Sequence, residues 1–296
     1  MFLFKKTVKG NAFLKDATDI HCHLLPNVDD GMASLEESFE LLAQEEMAGV
    51  KRVYLTPHNM GLEGAVVDKD SYGTHHHHHH HHVSSDGSNA EGDSSVAQME
   101  RNQKQYEDAE KNSSFNDEPL GGFSNAHLRE RFELYKSFYT GSIELRLASE
   151  YMMNKEFVTK VENKDLLTYS DGIHVLVETS YFSPPVDMDE ILYGVSLAGY
   201  KPIIAHPERY KYMSKQDYKR LKETGYEFQL NYLSLSGYYG PEVYERAMDL
   251  LDKGYYNYTG SDFHRISTYY HQMKYLKLKG KRADRLMELF DNNRSL

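Results

Sequence analysis

Short apolar runs of strand character alternate with segments of helical periodicity along most of this chain, and that alternation constrains its fold more than any other feature. Asp19-Ile20-His21-Cys22-His23 reads as a first strand. Ser34-Leu35-Glu36-Glu37 then reads as a capping box opening a helix, with Leu35, Phe39, Leu42 and Met47 near one face and Gly49 at its end. Further strands are expected at Arg52–Thr56, Ile143–Ser149, His174–Thr179, Pro202–Ala205, Glu227–Tyr232 and Tyr256–Gly260. Helices are expected over His127–Phe138 and Asp187–Ala198, from Ser214, from Pro241 and in the tail. Strands each followed by a helix suggest an α/β fold closed as a parallel barrel. An open doubly wound sheet is the alternative, weakened because no Gly-rich nucleotide loop follows the first strand.

One stretch breaks the pattern. From Gly61 to Ser124 the chain is rich in Ser, Gly, Asn, Asp and Glu, and it contains an unbroken run of histidines, His75 to His82. A natural His-rich tract can bind metal. Flanked by Gly, Ser and Asn, this one reads as an expression tag, although its internal position is unusual. Gln98–Lys111 has helical character without a continuous apolar stripe. Residues 61–124 are therefore expected to be an inserted, largely flexible tag or linker after strand two, and 1–60 with 125–296 to be one domain.

Composition narrows the function. Lys and Arg total 34 against 45 Asp and Glu, a formal net charge of −11. That argues against a general nucleic-acid or membrane-surface binder, both of which need clustered positive charge. No apolar run reaches the roughly 20 residues of a membrane span, and the apolar patch at the start is too short for a signal peptide. The single cysteine, Cys22, excludes an internal disulfide framework and fits a reducing cytoplasm.

The chemistry-bearing residues sit where the expected strands end. His21 and His23, two apart on a strand, point to one side. Asp29 and Asp30 follow; they could simply form a turn before Gly31. His58 follows strand two, Glu150 closes strand three, Glu178 lies near the end of strand four, His206 ends strand five, and Asp262 and His264 end strand seven. Carboxyl ends of barrel strands form the active-site face, so these imidazoles and carboxylates would converge on one cavity. A mixed nitrogen and oxygen donor set suits Mn, Fe or Zn, and it exceeds what one ion needs. His127, His174 and His271 lack such placement and are read as non-ligands. Cys22 faces the opposite side, and a thiol phosphatase would need an arginine six residues later, where Val28 stands.

His21-Cys22-His23, Thr56-Pro57-His58, His206-Pro207-Glu208-Arg209 and Asp262-Phe263-His264 resemble the metal motifs of the polymerase-and-histidinol-phosphatase (PHP) superfamily. Within it, DIHCHLLPNVDDGMASLEES resembles the start of bacterial protein-tyrosine phosphatases of capsule and exopolysaccharide operons. The resemblance covers everything except the insert. It implies a distorted (βα)7 TIM-like barrel and two or three divalent ions, usually manganese, with Fe, Zn or Mg as alternatives. It further implies hydrolysis of phosphotyrosine and, as partner, the tyrosine-rich tail of a bacterial tyrosine kinase. Carried over by position, His21, His23, Asp30, His58, Glu150, Glu178, His206, Asp262 and His264 would be ligands, with Asp30 rather than Asp29 at the family's spacing. Arg209 would hold the phosphate. The long loop after His58 departs from the family and bears on substrate access.

A metal-activated hydroxide is the expected nucleophile. Arg209, and Arg265 as a second candidate, would bind phosphoryl oxygens with forked donors. His264 or Asp30 would supply a general acid. Two rival readings are a phosphatase of small phosphomonoesters such as histidinol phosphate, and a non-catalytic scaffold displaying the insert. An amidohydrolase also begins with HxH, but its bridging lysine would stand where this chain has Glu178.

Overall fold

A computed structural model describes residues 6–67 and 90–296. The chain runs β1 (Thr7–Lys9), β2 (Thr18–Asp19), α1 (Leu35–Ala48), β3 (Arg52–Leu55), β4 (His58–Asn59), α2 (Gly61–Val67), α3 (Ala90–Lys111) and α4 (Asn125–Phe138). It continues through β5 (Glu144–Leu147), β6 (Glu150–Met152), α5 (Lys155–Glu162), β7 (His174–Glu178), α6 (Met188–Leu197), β8 (Lys201–Ala205), α7 (Lys215–Thr224) and β9 (Glu227–Asn231). The last elements are α8 (Pro241–Asp252), β10 (Tyr258–Gly260), α9 (Ile266–Gln272), β11 (Lys277–Lys279) and α10 (Gly280–Asn293).

The fold is mixed α/β, and its main strands are parallel. One ladder has the order β10-β9-β8-β7-β6-β4 and another the order β2-β3-β5. Two of the expected strands, Arg52–Thr56 and Ile143–Ser149, stop short and are each followed, beyond the expected bounds, by a separate short strand. Pro57 separates β3 from β4, because proline carries no N–H for the ladder; its carbonyl instead accepts from the Glu150 backbone at 3.0 Å and from Ser149 Oγ at 2.8 Å. Ala148 and Ser149 likewise divide β5 from β6, so Glu150 opens a strand rather than closing one. The first strand is shorter than expected. After β2, its contact with the segment following β10 consists of an isolated Cys22–Phe263 bridge, with Asp262 N donating to His21 O at 2.7 Å and His23 N to Phe263 O at 2.8 Å. A short antiparallel pair, β1 with β11, was not foreseen.

Strands buried on both faces read as continuous apolar runs, as Val175–Val177 and Pro202–Ala205 do. One set of buried residues, Ile20, Tyr54, Ala148, Leu176, Ile203 and Ala205 among them, packs on one side of the strands with the C-terminal Leu296. A larger set joins strands to helices. Helix starts obey local rules: Ser34 caps α1 by accepting from Glu37 N, and Ser214 with Asp217 makes a reciprocal capping box on α7. Gly49 at φ 102° terminates α1 in the left-handed conformation that glycine adopts without strain.

The expectation of one flexible insert over 61–124 is corrected for its later part. Helix α3 packs on α1 and α4, and Tyr106 is fully buried. Arg131 of α4 lies 3.7 Å from the centre of the Tyr106 ring and donates to Tyr106 O at 2.9 Å. The fully buried His127 stacks on Phe123 at 3.7 Å and reaches Glu118 at 2.8 Å and Glu110 at 3.0 Å. A few aromatic and ionic anchors hold this polar segment where aliphatic residues are scarce. The octahistidine run His75–His82 lies outside the described residues.

Candidate metal centre

Three groups of donor atoms meet where parallel strands end or, for His58 and Glu150, where β4 and β6 begin. His23, Asp30, His58 and His264 form one; His21, His23, Glu150 and Asp262 a second; His58, Glu150 and Glu178 a third. In each group the donor atoms lie within 4.8 Å of one another. His23, His58 and Glu150 each belong to two groups, so the three form one continuous cluster. Eight of the nine residues expected as ligands fall in it. The ninth, His206, stands beside it, with Nε2 3.0 Å from Glu150 Oε2 and Nδ1 buried without a hydrogen-bond partner.

Neighbouring side chains set the orientation of the imidazoles. His23 Nδ1 pairs with Asp29 Oδ2 at 2.8 Å, and His21 Nδ1 with Gln229 Oε1 at 2.8 Å. With Nδ1–H donated outward, both rings turn Nε2 inward, and the two Nε2 atoms lie 3.3 Å apart. Asp29 also accepts from the backbone of His58 at 2.9 Å and of Gly31 at 2.8 Å. Asp29 is thus a buried support, whereas Asp30 is a third exposed and faces His58 Nε2 at 3.4 Å and His264 Nε2 at 3.3 Å. Two non-glycine residues turn through positive φ at the strand ends, His206 at 33° and Asp262 at 54°. Such backbone concentrates at sites whose side-chain direction matters.

The electrostatics call for cations. Burial alone would lower the pKa of His21, but the Glu150 and Asp262 carboxylates outweigh it and raise it to about 9. Burial, reinforced by the charge of Glu150, pushes Glu178 up to about 8. Burial opposes ionisation of Glu150 and Asp262 as well, yet the surrounding imidazoles hold both well below the usual carboxylate range. The carboxylates favour the protonated form of His21 and His23, a place that divalent cations would take. Glu150 Oε1 and Asp262 Oδ1 are buried without a hydrogen bond, each 3.0 Å from an imidazole nitrogen. Buried carboxylate oxygens left without a hydrogen bond beside imidazole nitrogens, in a mixed donor set, fit divalent metal ions.

Arg209 adjoins this cluster. Its Nη1 donates to Asp262 Oδ2 at 3.2 Å, and the guanidinium lies between the Tyr181 and Tyr239 rings, 4.3 and 4.1 Å from their centres. Arg265 is engaged differently: its Nη1 donates to the backbone carbonyls of Gly31 and His264. Cys22 is fully buried with Sγ on Tyr54 O at 3.2 Å, away from the cluster's donor set. His174 pairs with Asp171 and Glu227, and neither it nor His127 joins the cluster. Asp29, Gln229, Tyr181 and Tyr239 were not singled out from sequence as functional. Only Asp29 carried a signal, its place six residues after His23.

Comparison with known proteins follows the same residues. The chain is 24% identical over 84% of its length to 78% of the tyrosine-protein phosphatase YwqE of Bacillus subtilis (strain 168). It is 24% identical, over 93% of its length and 95% of the relative's, to the tyrosine-protein phosphatase CpsB of Streptococcus pneumoniae. A crystal structure from a study of YwqE and CpsB as metal-dependent tyrosine phosphatases superposes with a TM-score of 0.60 at 21% identity, covering 85% of this chain and 81% of that one. The family described as capsular polysaccharide synthesis, CpsB/CapC, matches residues 17–89 and 124–288. The chain belongs to the CpsB/CapC family of capsular polysaccharide synthesis.

Proposed function

We propose that this protein is a metal-dependent protein-tyrosine phosphatase acting in capsular or exopolysaccharide synthesis. The observation that carries the reading is the pairing of Arg209 with the shared imidazole and carboxylate cluster: a fixed guanidinium and a cation site on one side chain, Asp262. The phosphatase names of its relatives support it.

The proposed ligands are His21, His23, Asp30, His58, Glu150, Glu178, His206, Asp262 and His264, holding two or three divalent ions, manganese first. Such ions bring the pKa of bound water toward 7 and neutralise phosphoryl charge. The chain's own residues do the rest. Arg209 offers its free guanidinium edge to the non-bridging phosphoryl oxygens, and the two tyrosine faces keep the fork flat. Asp29 and Gln229 hold His23 and His21 in the tautomer that turns Nε2 inward. His264 Nε2, beside Asp30 on the more open side, can serve as a ligand or as the donor of a proton to the departing phenolic oxygen, one role excluding the other. A phenol of pKa near 10 needs little such help. Arg265 is proposed as a weaker phosphate contact.

Closure of the seven strands into a distorted (βα)7 barrel over 1–60 and 125–296 belongs to this proposal; the Cys22–Phe263 contact supports it. So do a cytoplasmic location and, as substrate, the phosphorylated tyrosine-rich tail of a bacterial tyrosine kinase. Among the described residues no helix is long and apolar enough to cross a membrane. Turnover of a phosphotyrosyl peptide against histidinol phosphate tests the reading. Preference for the peptide, lost in Arg209→Ala with metals still bound, is expected; preference for histidinol phosphate would make the chain a small-phosphomonoester phosphatase instead.

A further inference from the structure

The loop from Leu24 to Ser34 carries both Asp29 and Asp30. Within it Asn27 N donates to Met32 O at 2.9 Å and Gly31 N to Asp29 Oδ1 at 2.8 Å, with Asn27 at a positive φ of 59°. Outward, Asp29 reaches His23 and the His58 backbone, and Met32 N donates to His23 O at 3.0 Å. Ser38 Oγ donates to Leu24 O and Arg265 to Gly31 O, and two further backbone carbonyls accept from the stretch 95–124. The buried Tyr106 hydroxyl donates to Pro26 O at 2.8 Å, and Gly121 N donates to Val28 O at 2.8 Å. Leu35 N, where the loop enters α1, donates to Gln103 Oε1 at 2.8 Å. Gly121 O in turn accepts from Met60 N at 2.8 Å, two residues after His58. One glycine thereby links the loop bearing Asp29 and Asp30 to the strand end bearing His58.

The stretch is itself anchored. Arg131 stacks on the Tyr106 ring, and Glu110 and Glu118 flank the buried His127. Residues 90–123 fall between the two stretches that match the CpsB/CapC family. This support lies almost wholly outside the stretches that the family model matches.

We propose that residues 95–124 are a positioning element of the metal centre, with Tyr106 and Gly121 fixing the Asp29–Asp30 loop against His58. The loop reaches one donor group twice, through Asp30 and through Asp29, which holds His23 and the His58 backbone. Relaxing it therefore loosens the His23, Asp30, His58 and His264 group most and the groups that share His23 or His58 less. The proposal rests on the metal-centre reading above.

The test is calorimetric titration of manganese(II) into the chelator-stripped full chain, for wild type, Tyr106→Phe and Gly121→Ala. Tyr106→Phe keeps the ring beneath Arg131 and removes only the hydroxyl. Gly121→Ala has room for its methyl, with Met60 Sδ at 3.7 Å as the one neighbour, but must hold a φ of +78°. Both variants are expected to weaken one class of sites about tenfold and the others less. Turnover of a phosphotyrosyl peptide should show a lower kcat at limiting manganese, recovered in excess manganese, with KM unchanged. Wild-type isotherms in both variants overturn the proposal, as does equal weakening of every class of sites. A wild-type chain that binds no divalent ion overturns the reading beneath it instead.

Discussion

Arg209 is a cation confined by two aromatic faces, and this confinement has a measurable consequence. A guanidinium over a desolvated aromatic ring gains about 0.5–2 kcal/mol. Tyr181→Leu or Tyr239→Leu should therefore raise KM for a phosphotyrosyl peptide several-fold with little change in kcat, while the Phe variants stay near wild type. Steady-state kinetics decide it; a Phe variant as impaired as Leu would show that the hydroxyl matters rather than the face. Glu45, inside α1, makes a second case. Both of its carboxylate oxygens are buried without a hydrogen bond, and desolvation with the nearby Asp19 charge pushes its pKa well up. A carboxyl raised in the folded state adds stability below its unfolded pKa of 4.5 and loses it as pH rises through the folded value. Glu45→Met should thus stabilise the chain at pH 8 by about 1–3 kcal/mol and by less at pH 5, as read by denaturant unfolding. Equal effects at both pH values would mean that Glu45 does not titrate. The clustering of the donor residues was legible in sequence because HxH and D-x-H spacing at strand ends is itself geometry. Gln229 was not: it meets His21 only when β9 and the first strand are brought together, 208 residues apart in sequence. Tyr181 and Tyr239 were two among 24 tyrosines, and only the fold shows which faces enclose Arg209.

At the scale of elements, strands and helices recovered from periodicity alone were those whose faces are apolar. Helix α6 lies within its expected Asp187–Ala198 span, and α7 starts on the expected Ser214 cap. Helix α3 hid because its burial depends on Tyr106, assisted by the partly buried Met99, rather than on an aliphatic stripe. Polar composition therefore suggested an insert where ionic anchors build a packed element. Arg131 is the anchor with most at stake, being nearly fully buried between the Tyr106 ring, Tyr106 O and Glu110. Arg131→Met should cost about 2–3 kcal/mol, and limited proteolysis should then cut first within 94–124. Unchanged stability and an unchanged cleavage pattern would mean that α3 contributes nothing to the folded state. Substituting 68–89 with a Gly/Ser bridge, which keeps α3, should preserve turnover, since loop closure costs grow only logarithmically with length.

For the whole molecule, the parallel strands gather several carboxylates of an already acidic chain, net charge −11, into one cluster. Cations that bind only the folded form stabilise it by mass action, about 2.7 kcal/mol for a site at 100 times its Kd. Manganese should accordingly raise the thermal midpoint of stripped protein, and scanning calorimetry with and without the ion measures this; an unmoved midpoint at saturating metal would show that the cluster binds none.

The account stands most directly on phosphate release from a phosphotyrosyl peptide by chelator-stripped protein, before and after manganese(II) is restored. Metal-free protein should be inactive and the reloaded protein active. Full turnover in excess chelator would contradict the account.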